Sequence, residues 1–288
     1  MKEVKLEEAA YQFDGKMSLK QAIPLGLQHV CAMFVGNLTP LLIITSACGI
    51  AGGEFADLQV TLLQSAMFVA GVVTLVQLFT VGPVGGGVPI IMGTSSGFIG
   101  VFNSVVGTMG GGVLAYGAIM GASIIGGIFE SVLGFFLKPL RKFFPPVVTG
   151  PIIISIGLIL APSAIKNCQT NWLLAFVALG VVIICNIWGK GMVKILPILI
   201  GVLVSYAVAL VTGAVDFQKI ADAAWFGIPL HKEAMGLFAI DGSPEFISAL
   251  FTIIPIALAT MMEHVGDICA ISSTVGKNYV ADPGLHRT

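Results

Sequence analysis

The hydrophobic and polar positions alternate on a long scale, as extended apolar runs separated by short polar ones. Runs of spanning length occupy 20–47, 58–80, 113–137, 148–165, 171–188, 193–213 and 245–271. Each predicts a helix long enough to cross the roughly 30 Å hydrocarbon core of a bilayer. Between the second and third lies a different segment, VGPVGGGVPIIMGTSSGFIGVFNSVVGT, over 81–108. It is apolar enough to enter the membrane but carries glycines, two prolines and a Thr-Ser-Ser run. Behind three glycines, VPII favours extended backbone, and the small polar residues of GTSSGF can start a helix. The pattern predicts a half-strand followed by a half-helix. Unpaired backbone groups at membrane depth are tolerated only where they are buried in protein or line a cavity. Such a half-helix points its N–H groups at the cavity's occupant, an arrangement transporters use for polar substrates. A glycine-rich helix packed tightly on its neighbours is the alternative reading. Counting this segment gives about eight passes.

The last run admits Glu263, His264 and Asp267 before it ends. Glu263 and Asp267 are four residues apart and share one face of a helix. A carboxylate near the middle of a span costs about 2.5–3.5 kcal/mol on insertion scales and usually faces a cavity or pathway. Two on one face, beside Gly266 where another backbone can approach, predict a polar site. The plainer reading puts both at the water interface near the helix end. The apolar run continues past them through Ile268 and Ala270, which favours the site.

Charge sets the orientation. With the N-terminus inside and 81–108 crossing, only Lys166, Lys219 and Lys232 of the 14 lysines and arginines fall outside. That asymmetry fits the positive-inside rule. Leaving 81–108 as a loop would put Lys138, Arg141 and Lys142 outside and spoil it.

Other polar residues in the spans carry weaker signals. The first span holds Gln28, His29, Asn37 and Pro40; His29 reads as a proton carrier or ligand, or equally as a histidine bonded to a neighbouring helix. Gly117 and Gly121, followed by Gly126 and Gly127, predict close helix packing. Glu130 reads as reaching toward the basic cluster Lys138–Lys142, with a proton path as the lesser reading. LKPLRKFFPP (137–146) reads as an interfacial connector, and 214–243 as the longest outer connection, partly a short amphipathic helix.

Composition confirms the class: 56% hydrophobic against 10% charged, with a mean hydropathy of +0.98. Soluble domains carry about 25% charged residues, so this is an integral membrane protein. A net charge of −1 argues against a nucleic-acid partner. The five cysteines form no CxxC pair or disulfide framework. The polar N-terminus has no short apolar stretch with a cleavage site, so it is not a signal peptide. GTMGGG (107–112) lacks the strand–turn–helix context of a nucleotide loop, and EHVGD is not HExxH. No metal, cofactor or enzymatic chemistry is implied.

Five stretches carry a family resemblance: IPLGLQHVCAMF (23–34), PIIMGTSSGFIG (89–100), FPPVVTGPIIISIGL (144–158), LPILIGVLVSYAVAL (196–210) and EHVGDICAISSTVGKNYVADPGLHR (263–287). In these the chain resembles the nucleobase–ascorbate transporter family, which includes the bacterial uracil and xanthine permeases. The resemblance implies an all-α polytopic membrane protein built as a 7+7 inverted repeat. Spans three and ten would be broken, each with a short β-strand, and the nucleobase would sit between them. It implies a core of spans one to four and eight to eleven, with a gate of the remaining spans that rocks against it and mediates homodimerisation.

On that pattern the chain divides into a cytoplasmic tail (1–19), core spans 1–4 (20–137), gate spans 5–7 (138–213), an extracytoplasmic loop (214–243), core span 8 (244–272) and the start of a cytoplasmic loop (273–288). The chain would then be the N-terminal part of a longer protein, lacking the second set of substrate ligands. Glu263 matches the glutamate that hydrogen-bonds the nucleobase ring. Asp267 matches a position that is typically histidine in uracil carriers and aspartate in xanthine and urate carriers. Thr94, Ser95, Ser96, Gly97 and Phe98 would contact the base, with His29 and His264 supporting the site. Ser96 departs from the pattern, since many relatives have an aromatic residue there.

The chemistry agrees. Purine and pyrimidine diones alternate N–H donors with C=O acceptors, so a carboxylate accepts from the former and main-chain N–H groups donate to the latter. Protonation of Glu263 or Asp267 linked to substrate binding would let a proton gradient drive uptake. The expectation is a multi-pass cell-membrane importer of xanthine or a related purine by proton symport. A uracil permease is the alternative in the same class, and an anion carrier or channel of related fold the alternative in another.

Overall fold

The computed structural model describes residues 18–136, 146–215, 217, 240 and 242–288. Most of the N-terminal tail, the basic connector at 137–146 and most of the outer loop at 214–243 therefore lie outside the described residues. The helices are α1 (Leu19–Ala47), α2 (Ala56–Phe79), α3 (Ile99–Met109), α4 (Gly112–Phe135), α5 (Pro146–Cys168), α6 (Trp172–Trp188), α7 (Met192–Ile195), α8 (Pro197–Val211) and α9 (Pro244–Val275). The described parts of the apolar runs read from the sequence are mostly helical. Among the described residues, four helical stretches are long and apolar enough to cross a membrane: Ala22–Ala47, Gly53–Phe79, Gly112–Phe135 and Phe246–Val275. Their outward faces are hydrophobic, with Val60, Phe68, Val72, Leu75 and Phe79 of α2 all exposed. Water would not tolerate that surface, whereas lipid does.

The chain forms two compact units. Of the described residues, one gathers 37–136, 146–159, 240 and 242–288, the other 18–36, 160–215 and 217. In the first, α4 and α9 pack along their lengths, and α3 lies against both. The buried positions of α9 (Phe246, Ala249, Ile253, Ala257, Met261, Val265 and Ile268) recur every three or four residues. They form one stripe at helical period. Small residues on α4 let it approach: Ala115, Ala118 and Ala122 are buried, and a Cβ on Gly126 would stand 2.8 Å from Ile253 Cγ2. Close packing was expected around the glycines of this helix; Gly126 makes it, whereas a Cβ on Gly127 would meet open space.

In the second unit α6 pairs with α8. A Cβ on Gly201 would meet Val182 Cγ2 at 2.7 Å, and Ser205 Oγ donates to the Leu174 carbonyl at 3.2 Å. The Asn171 side chain caps the start of α6, accepting from Leu174 N at 3.2 Å.

The segment 81–108 is not one continuous helix. Residues 85–95 form no regular element, with Gly85 (φ 92°) and Gly87 (φ 63°) turning the chain, Ser96–Phe98 form a single 3-10 turn, and α3 follows. Among the described residues no strand is formed, and the one bridge nearby is the tight turn Val81–Val84. The short β-strand expected here is thus absent among the described residues. The polar groups of this run bond elsewhere: Met92 N donates to Thr74 Oγ1 at 2.9 Å and Gly87 N to the Gln77 carbonyl at 2.9 Å. Gly85 N donates to the Arg287 carbonyl at 2.7 Å, because the residues after α9 fold back along this run. Gly276 in the left-handed conformation (φ 73°) ends α9, and Tyr279 is then buried against Val88 and Ile268.

Candidate functional site

The site is assembled by α9, the 3-10 turn at Ser96–Phe98, the extended run before it, and α4. Thr260, Glu263, His264 and Asp267 occupy successive turns of α9, so helical period alone gathers them near one face. Facing them, Ser95 caps the 3-10 turn. Its backbone is extended (φ −74°, ψ 132°), and its Oγ accepts from Gly97 N at 3.1 Å. The same hydroxyl donates to Glu263 Oε2 at 3.3 Å. The residue that starts the half-helix therefore also fixes the carboxylate opposite it. Gly97 makes that approach possible: a Cβ there would lie 3.3 Å from both Ser95 Oγ and Thr260 Cγ2, and 3.6 Å from Glu263 Oε2.

A cavity of about 400 Å³ opens between these elements. Its polar wall is Thr94, Ser95, Ser96, Glu263, His264 and Asp267, closed by Phe98 and the backbone of 90–93. His264 Nε2 is 2.9 Å from Thr288 Oγ1, which holds the imidazole at the rim. Among the described residues no lysine or arginine lines the cavity, and no group of histidine, cysteine and carboxylate side chains is arranged to hold a metal. The arrangement pairs carboxylate acceptors with the N–H groups of a helix start. It suits a flat, neutral molecule that carries both donors and acceptors.

Of the residues singled out by sequence, Thr94, Ser95, Ser96, Phe98, Glu263, His264 and Asp267 line this cavity. Gly97 stands behind the wall as the point of close approach. His29 does not line it; it is an exposed residue of the N-terminal part of α1.

Asn37, Glu130 and Thr260 also line the cavity and were not chosen from the sequence. Asn37 was visible as a polar residue inside the first span. Its side chain fills the space where Gly93 would carry a Cβ, so the pair interlocks α1 with the extended run. Glu130 was read as reaching toward the basic connector. Instead it turns inward, where its Oε2 accepts from Thr260 Oγ1 at 3.2 Å. A polar residue at every third or fourth position was the available signal for Thr260, one turn before Glu263.

On the opposite side of the extended run lies a second cavity of about 400 Å³. It shares Met92, Gly93, Thr94, Ser95 and Phe98 with the first but is otherwise walled mainly by apolar side chains of α1, α2, α3 and α4, with Ser65, Tyr116 and Ser123 among them. It lacks any ionisable group except the Tyr116 phenol.

Comparison with known proteins agrees with this picture. A family model described as the permease family matches residues 20–288. A putative purine permease of Clostridium perfringens is 36% identical over 254 residues, covering 84% of this chain and 54% of the relative. A probable uracil permease of Haemophilus influenzae is 36% identical over 240 residues, covering 78% of this chain and 54% of that protein. The xanthine permease of Bacillus subtilis is 31% identical over 273 residues, covering 89% and 58%. The chain thus spans a little over half the length of these curated relatives. With apolar helices of spanning length and a family match over residues 20–288, this chain belongs to the nucleobase–ascorbate transporter family of permeases, which are carriers and not enzymes.

Proposed function

We propose that this chain forms the nucleobase-binding face of a proton-driven importer whose substrate is a purine dione such as xanthine. The observation that supports it most is the cavity in which the Glu263 and Asp267 carboxylates stand opposite the start of a half-helix. Glu263 would accept from ring N–H groups, and the main chain around Thr94–Gly97 would donate to the ring carbonyls. Asp267 supports the purine preference, because aspartate at this place accompanies xanthine and urate carriers in the family pattern. Relatives named as purine and xanthine permeases are consistent with it.

A uracil carrier is the second reading, favoured by the uracil permeases among the relatives at equal identity. An anion carrier of related fold has less support, since an anion would meet Glu263 and Asp267 with no basic side chain on the described cavity wall.

The same reading makes 81–109 the broken third span of an inverted-repeat carrier. The unit gathering 37–136 and 244–288 would be most of the core, and the unit gathering 160–215 most of the gate. A cytoplasmic N-terminus and a homodimer formed through the gate complete the proposal.

The test is uptake of radiolabelled xanthine and uracil by cells expressing the complete gene, comparing wild type with Glu263→Gln and Asp267→Asn. Xanthine uptake abolished by a protonophore and by Glu263→Gln supports the purine–proton reading. Uptake untouched by Glu263→Gln overturns the site. Uracil uptake without xanthine uptake leaves the site standing and changes its substrate.

A further inference from the structure

Glu130 has no part in the reading above, yet its carboxylate opens on the same cavity. Packing puts it there. Gly126 receives Ile253 in the α4–α9 seam. Glu130 lies one turn beyond Gly126 and Thr260 two turns beyond Ile253, and the two side chains meet across the seam. Thr260 Oγ1 then donates to Glu130 Oε2 at 3.2 Å, and the same hydroxyl reaches the carbonyls of Ala257 at 3.1 Å and Ile256 at 3.3 Å.

That geometry serves a carboxyl in both of its protonation states. A hydroxyl has one proton to donate and lone pairs to accept. When Glu130 is ionised, Thr260 donates to it. When Glu130 is protonated, the carboxyl donates to the Thr260 oxygen, and the Thr260 proton turns to the Ala257 carbonyl. Only hydrogens move, so the Glu130–Thr260 hydrogen bond persists in both states at membrane depth, where losing it is costly. The titratable groups nearest it are Glu263, His264 and Asp267 on α9, together with His286. The His286 ring lies 6.2 Å from that of Phe135 at the end of α4. Three carboxyl groups and one imidazole share the cavity, with no fixed cation on its described wall.

We propose that Glu130 is a second proton carrier of this permease, switching between its ionised and neutral forms through the Thr260 hydroxyl while Glu263 engages the base. The inference rests on the proton-coupled nucleobase reading of the site. The proton binds the Glu130 carboxylate from water in the cavity and leaves to water when the cavity opens to the other side. No bond to the substrate is made or broken.

The test uses the complete gene product in liposomes under an imposed pH gradient, comparing wild type, Glu130→Gln, Thr260→Val and Glu263→Gln. A gradient of one pH unit accumulates a substrate about tenfold for each coupled proton. The expected result for Glu130→Gln is a loss of about tenfold in accumulation at equal protein, with exchange of labelled for unlabelled base reduced much less. Thr260→Val should displace the pH profile of uptake in the same assay. Accumulation by Glu130→Gln equal to wild type overturns the proposal. So does a parallel fall in accumulation and exchange, which a purely structural carboxyl would give. If Glu130→Gln does not reach the membrane, Thr260→Val decides: a displaced pH profile supports the proposal and an unchanged one overturns it. Uptake by Glu263→Gln equal to wild type overturns the reading of the site itself, and this proposal with it.

Discussion

The Ser95 hydroxyl donates to the Glu263 carboxylate across 3.3 Å, although 168 residues separate the two in the chain. One small side chain thereby joins the half-helix to the acidic face of α9. It couples the two halves of the cavity wall, because the same oxygen accepts from Gly97 N.

Removing that hydroxyl should be felt on both sides. In Ser95→Ala the turn loses a cap that contributes about 1 kcal/mol, and Glu263 loses a donor. The KM for nucleobase uptake is expected to rise several-fold, with Ser95→Thr close to wild type. An unchanged KM in Ser95→Ala, at equal protein in the membrane, would show that the bond does not position Glu263.

Thr74 anchors the extended run to α2, accepting from Met92 N at 2.9 Å while donating to the Ala70 carbonyl at 2.7 Å. Thr74→Val keeps the shape but leaves the Met92 N–H without this acceptor, a cost of about 1–3 kcal/mol for a buried group. Thermal unfolding in detergent should show a lowered Tm, restored by Thr74→Ser. Equal Tm values for Thr74→Val and wild type would mean that the extended run is held by other contacts.

Gly93 and Asn37 occupy complementary space, since a Cβ on Gly93 would run into the Asn37 side chain. Gly93→Ala alone is expected to lower uptake at least tenfold by pushing Asn37 into the cavity. Gly93→Ala with Asn37→Ala should recover part of it, and a double-mutant cycle of uptake rates measures that coupling. Additive losses would argue that the two positions act independently.

The α4–α9 seam has little slack at Gly126. Gly126→Ala sets a methyl 2.8 Å from Ile253 Cγ2 and should destabilise the protein by about 1–3 kcal/mol through overpacking. Ile253→Ala removes that Cγ2, so the double variant should unfold at a higher temperature than Gly126→Ala alone. If it does not, the clash is relieved elsewhere along the helices.

Much of the site was legible because it is local. Glu263 and Asp267 share a helix face by their spacing, and GTSSGF announces a helix start behind an extended run. Glu130 shows where that kind of reasoning stops. Its neighbours in sequence offered a basic connector eight residues on, and a glutamate can extend toward such charges. The partner it has instead, Thr260, lies 130 residues away. His29 and Asn37 show the same boundary. Both are polar residues in the first span, and only packing distinguishes the one that meets Gly93 from the one left exposed.

The sequence alone determined the membrane class, the order of the helices and the acidic face of α9. These follow from hydropathy, from local backbone preference and from the 3.6-residue period, each of which is set within a few turns of chain. Tertiary structure decided which faces meet. It set α4 against α9 at Gly126, laid the extended run along α2 through Thr74, and turned Glu130 inward to Thr260. Those choices depend on the fit of small and large side chains across helices far apart in sequence, and local pattern does not encode that fit.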